Sequence, residues 1–149
     1  MLVENAEINE VKIIHPQIHN DNRGYFFESY SIKSFKDNGL PDHFNQDNEV
    51  FSEKKGVLRG LHYQLEFPQG KIVRAVIGSI LDVAVDVRVC SPTYGKYVMV
   101  ELSSENKLSK FKSSKLISLL LLLFDVKSIF EESLLELFEL FELFELFEL

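Results

Sequence analysis

KIVRAVIGSILDVAVDVRVCSPTYGKYVMVEL, residues 71–102, alternates apolar and polar positions in short runs broken by GS and by CSPTYG. A period of two with Gly- and Pro-bearing breaks belongs to half-buried antiparallel strands joined by turns. In the middle run, Leu81, Val83, Val85 and Val87 share one face, and Asp82, Ala84 and Asp86 share the other. If the valine face packs the core, the Asp face is wet; if Asp82 faces the interior, it is a candidate charge partner. Upstream the pattern continues. VKIIHPQIH (11–19) reads as a strand whose proline favours an edge or a bend. DNRG (21–24) is turn chemistry before the aromatic strand YFFESY (25–30). SIKSFKDNG (31–39) is one short helix, with Ser31 as cap and Gly39 as stop. FNQDNEVF (44–51) and GVLRGLHYQ (56–64) follow as further strands. Short strands at this spacing predict an all-β antiparallel sandwich or barrel.

The composition fits one domain. The chain has 149 residues, 46% apolar and 26% charged, enough to bury a real core. The single cysteine, Cys90, cannot form an intramolecular disulfide, so nothing asks for an oxidising compartment. The acidic start MLVENAEINE lacks the features of a signal peptide. The longest apolar run, ISLLLLLF (117–124), falls short of the ~18 residues that argue a spanning helix. A cytoplasmic protein that does not enter the membrane is the expectation. The net charge of −7 lies wholly in residues 116–149; residues 1–115 hold 15 basic and 15 acidic side chains. A neutral body argues against nucleic-acid binding by bulk charge.

GVLRGLHYQ carries polar residues that a structural strand does not need. Strict alternation puts Arg59 and His62 on opposite faces, but Gly60 lies between them, and an internal glycine often marks a bulge. An irregularity at 59–61 would let both reach one cavity, and Gln64 should share the face of His62. Gln46 and Asn48, two apart, share a face without help. FPQG (67–70) then turns the chain so that Lys71, opening the next strand, returns near His62. An imidazole, an ammonium group, a guanidinium and an amide pair suit proton abstraction beside a carbonyl. The imidazole takes the proton and the cation stabilises the enolate oxygen. Taken singly, each has a blander reading: a hydrogen-bonded strand histidine, a solvated lysine, a turn-capping aspartate. None of the four histidines forms an HxH pair, so no metal site is expected, and P-loop, GxGxxG, CxxC and GxSxG motifs do not occur.

Together, NRGYFFESY, QDN, GVLRGLHYQ, QGKIVRAVIGSILDVAVDVRVCSPTYGKY and ELSSENK closely resemble the dTDP-4-dehydrorhamnose 3,5-epimerase family, from about residue 8 to 107. The resemblance implies a cupin-like jelly roll that forms a homodimer and uses neither metal nor organic cofactor. Its substrate would be dTDP-4-dehydro-6-deoxy-glucose, epimerised at C3 and C5 on the route to dTDP-L-rhamnose. His62 matches the general base and Lys71 the lysine near the C4 carbonyl. Arg59 matches the arginine that binds the diphosphate region. Arg23, Glu28, Gln46 and Asn48 match positions contacting the nucleotide or sugar, some across the dimer. The family's acid, a tyrosine in the strands after ENK, has no counterpart, because no tyrosine follows Tyr97.

After Lys107 the character changes to a serine-lysine run, a leucine block and the repeat ELFELFELFELFEL (136–149). In an α-helix a period of three spirals the Glu residues around the axis and leaves no apolar face, although helix propensity is high. The expectation is an incomplete jelly roll over 1–107 and a low-complexity or out-of-frame tail over 108–149, with helix as its one regular option. Two other functions remain open at this stage. One is a related ketoisomerase or single-site epimerase; the other is an inactive sugar-nucleotide-binding remnant.

Overall fold

The computed structural model describes residues 1–64, 66–114 and 116–123, with 117–123 as backbone alone. Two four-stranded sheets and a hairpin make up the described chain. β1 (Leu2–Asn5), β2 (Val11–His15), β9 (Ser109–Lys112) and β6 (Lys71–Arg74) form the first sheet, in the order β1-β2-β9-β6. β5 (Leu58–His62), β10 (Leu116–Leu123), β7 (Ser79–Asp86) and β8 (Tyr97–Ser103) form the second, in the order β5-β10-β7-β8. Every pairing in both sheets is antiparallel. β3 (His19–Asp21) and β4 (Gly24–Phe26) pair separately as an exposed hairpin.

The core lies between the two sheets. Val11 from the first sheet packs with Ile80, Ala84, Val98, Val100, Leu102 and Leu116 from the second. The Asp82/Ala84/Asp86 face is thus the interior one, and Asp82 is only 1% exposed. The opposite face holds a smaller cluster of Val83 and Val85 with Leu61, Leu81 and Met99. The other side of the first sheet is covered by α1 (Ile32–Asp37), whose buried Phe35 meets Ile14, Leu40 and Phe111. Ser31 caps this helix, and Gly39 ends it with a φ of 69° that favours glycine.

Two expectations differ from the structure. FNQDNEVF is irregular, because residues 46–49 are polar and exposed and offer no apolar face to bury. Gln46 and Asn48 therefore share no strand face. The β-framework also runs past Lys107. β9 lies between β2 and β6, and β10 lies between β5 and β7. The sequence S-K-F-K and the leucine block form strands because they fill central positions, where pairing on both sides satisfies the backbone. Residues 136–149, with the three-residue repeat, lie outside the described residues.

One network fastens the end of β7. The buried Asp86 carboxylate accepts from Arg88 Nε (2.8 Å) and Nη2 (2.7 Å), from Ser91 Oγ (2.6 Å) and from Thr93 Oγ1 (2.6 Å). Arg88 also pairs with Glu10, just before β2. Burial pushes the Asp86 pKa up, but the hydrogen bonds from Arg88, Ser91 and Thr93 outweigh it and hold it far below the usual carboxylate range.

Candidate active site

The strand that carries His62 bends where Gly60 allows it. In the β5–β10 pairing, Ser118 opposes His62 and Leu120 opposes Arg59, so two steps along β10 match three along β5. That is a bulge in β5 between the two polar residues. Directly paired residues share a face, and positions 118 and 120 fall on the same one. β10 in turn pairs Ser118 with Ala84 and Leu120 with Asp82. Arg59 and His62 therefore both stand on the interior face, with Asp82 and Ala84. Leu61, between them, packs in the cluster on the other face, as this register requires.

Lys71 also faces inward, from the first sheet. It pairs with Lys112, and Lys112 pairs with Val11, a core residue. Lys71, Lys112, Val11 and, two residues along, Val73, Lys110 and Ile13 thus face inward. β5 and β6 are not neighbours in one sheet, contrary to the expectation of adjacent strands; they are edge strands of two facing sheets. The edge position explains why His62 and Arg59 are exposed and Lys71 is half-buried.

Asp82 is a charge partner, though of a residue that the sequence reading passed over. Lys110 Nζ donates to the Asp82 carbonyl at 2.8 Å and lies 3.0 Å from its Oδ2. Neither carboxylate oxygen has a well-aligned hydrogen bond among the described residues. Burial raises the Asp82 pKa and lowers that of Lys110, and in each case the attraction of the partner only partly offsets it. Desolvation thus exceeds Coulomb attraction in this pair. Lys112, 3% exposed, donates to the Leu116 carbonyl at 2.6 Å. Burial and the Lys71 charge beside it bring its pKa down to about 8. Lys110 and Lys112 were read as part of a polar run. The signal was their spacing of two, which puts both on one face of any strand there.

The remaining candidates lie elsewhere. Arg23, in the β3–β4 turn, is exposed and folded onto Asp21, with Nη2 2.5 Å from Oδ2. Glu28 Oε1 accepts from Ser34 Oγ at 2.7 Å in the first turn of α1. Arg59 Nη2 donates to Ser52 Oγ at 2.8 Å, which ties β5 to the irregular segment. Gln46 and Asn48 are exposed in that segment, and Gln64 lies beyond the end of β5, so alternation does not set its face.

The burial of Lys112 carries a pH dependence. Its folded pKa of about 8 lies below the ordinary lysine value of 10.5, so the unfolded chain binds more protons between these limits. Stability therefore rises with pH across that window, by about 3 kcal/mol from this group. Urea unfolding at pH 7.5, 9 and 10 should show the rise, and Lys112→Met should flatten it. An equal slope in the variant would contradict this assignment.

The sequence profile of the dTDP-4-dehydrorhamnose 3,5-epimerase family matches residues 5–115. A dTDP-4-dehydrorhamnose 3,5-epimerase of Shigella flexneri is 53% identical over 109 residues, 72% of this chain and 60% of the relative. That of Methanothermobacter thermautotrophicus is 54% identical over 95 residues, 64% of this chain and 51% of the relative. The crystal structure of a dTDP-6-deoxy-D-glucose-3,5-epimerase from Legionella pneumophila, in complex with dTDP-4-keto-L-rhamnose, matches with a TM-score of 0.76 at 45% identity. That match covers 82% of this chain and 65% of that one. This chain therefore spans about half to three fifths of the length of these curated relatives. The architecture of two facing antiparallel sheets is the cupin-like jelly roll of such epimerases. Because the matched span takes in the β5 bulge, the Lys71 edge and the Asp82 strand together, the chain belongs to the dTDP-4-dehydrorhamnose 3,5-epimerase family.

Proposed function

We propose that this chain removes the protons next to the ketone of a dTDP-4-dehydro-6-deoxy-glucose, the chemistry that epimerises C3 and C5. The observation that supports the reading is the β5 bulge, which brings Arg59 and His62 to the interior face of the second sheet, while Lys71 faces inward from the first. His62 acts as base, taking a proton from the carbon beside C4. The electron pair moves into the ring bond and onto the C4 oxygen, where the Lys71 ammonium stabilises the enolate. Arg59 holds the diphosphate, a planar guanidinium being well matched to phosphate oxygens. Arg23, Glu28, Gln46 and Asn48 meet the nucleotide or sugar, some of them from a second subunit of a homodimer. The exposure of Arg23 at the β3–β4 turn supports such a shared role. The reaction needs no metal or organic cofactor, and the setting is cytoplasmic.

Proton exchange is the step to measure, because the tyrosine acid of the family has no counterpart after Tyr97. Incubating the chain with dTDP-4-dehydro-6-deoxy-glucose in deuterated water should place label at both C3 and C5. Label at one carbon alone would identify a single-site epimerase instead. Absence of label from both would overturn the proposal.

A further inference from the structure

Three lysines face one carboxylate in the space between the sheets. Lys110 (0% exposed), Lys112 and Lys71 project from the first sheet toward Asp82 on the second. Asp86, the other interior carboxylate, is already engaged by Arg88, Ser91 and Thr93. Three ammonium ions beside a single carboxylate in so poorly hydrated a space favour the loss of a proton from one of them. Lys110 has Asp82. Lys71 is half-buried and reaches solvent at the edge of its sheet. Lys112 has a neutral carbonyl as its hydrogen-bond partner and a like charge directly across the strand. From the other elements, Val11 of β2 is apolar, while β5 adds Arg59 and His62 on the same face. By this arrangement Lys112 is the lysine of the three that holds its proton least firmly.

We infer that Lys112 is a reactive amine, and that the Lys71–Lys112 pair forms a site for the carbonyl group of a small aldehyde or ketone. A desolvated lysine next to another cation is an activated nucleophile. The Nζ lone pair attacks the carbonyl carbon to give a carbinolamine. The carbinolamine takes up one proton and loses water, leaving a protonated imine, so nothing is oxidised or reduced. Lys71 donates a hydrogen bond to the carbonyl oxygen as it becomes the leaving hydroxyl. The site shares Lys71 with the epimerase reading but does not rest on it, since an imine on Lys112 requires neither His62 nor a sugar nucleotide.

The test is reductive ethylation of the full chain with acetaldehyde and sodium cyanoborohydride at pH 7, followed by peptide mass spectrometry. At that pH an amine of pKa about 8 is neutral about 300-fold more often than one at the ordinary lysine value. Even with restricted access, ethylation of Lys112 should run at least about tenfold faster than that of the exposed Lys33 and Lys36. Lys71→Gln removes the neighbouring charge and should cut this preference several-fold while leaving Lys112 in place. Unfolding in urea should abolish it. Labelling of Lys112 no faster than Lys33 and Lys36 in the folded chain would overturn the inference, as would a preference untouched by Lys71→Gln.

Discussion

His62→Ala should lower deuterium uptake from solvent into dTDP-4-dehydro-6-deoxy-glucose by about two to four orders of magnitude, the usual worth of a positioned general base. The side chain is exposed on an edge strand, so its removal leaves no cavity and no buried partner unsatisfied. Thermal unfolding should be unchanged within about 0.5 kcal/mol. The comparison with Lys71→Met separates the two roles. Losing the base removes the proton acceptor. Losing the ammonium removes stabilisation of the enolate oxygen, a comparable loss of about 10²–10³-fold. A His62→Ala chain that exchanges at the parent rate would assign the base elsewhere. Rates measured as exchange, rather than as epimerised product, keep the test independent of the face on which the carbon is reprotonated.

Asp82→Ala should cost about 3–5 kcal/mol of stability, because it leaves Lys110 as an uncompensated cation in the interior. The double exchange Asp82→Leu with Lys110→Met should do the opposite and leave stability equal or raise it by about 1–4 kcal/mol. The reason lies in the pair itself. At 3.0 Å the ions attract, yet burial moves both partners toward their neutral forms, so the pair is less favourable here than its geometry suggests. Urea unfolding of the two variants at pH 7 measures both values. A double variant as unstable as the single one would show that the pair contributes net stability, contrary to this account.

The fold was largely legible, and the reason is local. In residues 71–102 the alternation along each strand and the turn chemistry between strands agree with the antiparallel pairing that forms. The bulge was legible from Gly60 alone, since a glycine between two polar residues three apart is what brings them to one face. Asp82 was legible only as a condition: its strand has apolar residues on both faces, and alternation does not say which face turns inward. What could not be read depends on distant partners. FNQDNEVF alternates enough to suggest a strand but has no strand partner among the described residues. Residues 109–112 and 116–123 look like the start of a low-complexity tail, yet each becomes a central strand because partners flank it on both sides. Burial of Lys110 and Lys112 follows from that placement, which no property of S-K-F-K announces. Lys71 was expected on a strand beside that of His62, whereas it opens β6, in the other sheet from β5.

The account depends on His62 and Lys71 facing one space from opposite sheets. Placing His62→Cys and Lys71→Cys together in a Cys90→Ser background allows a direct measurement with bismaleimidoethane, a bridge suited to the ~10 Å spacing of packed sheets. Rapid formation of a single intramolecular bridge, with the two single-cysteine chains taking up only one reagent arm each, is the expected result. Two independent single additions to the double variant, with no bridge formed in the folded protein, would contradict it.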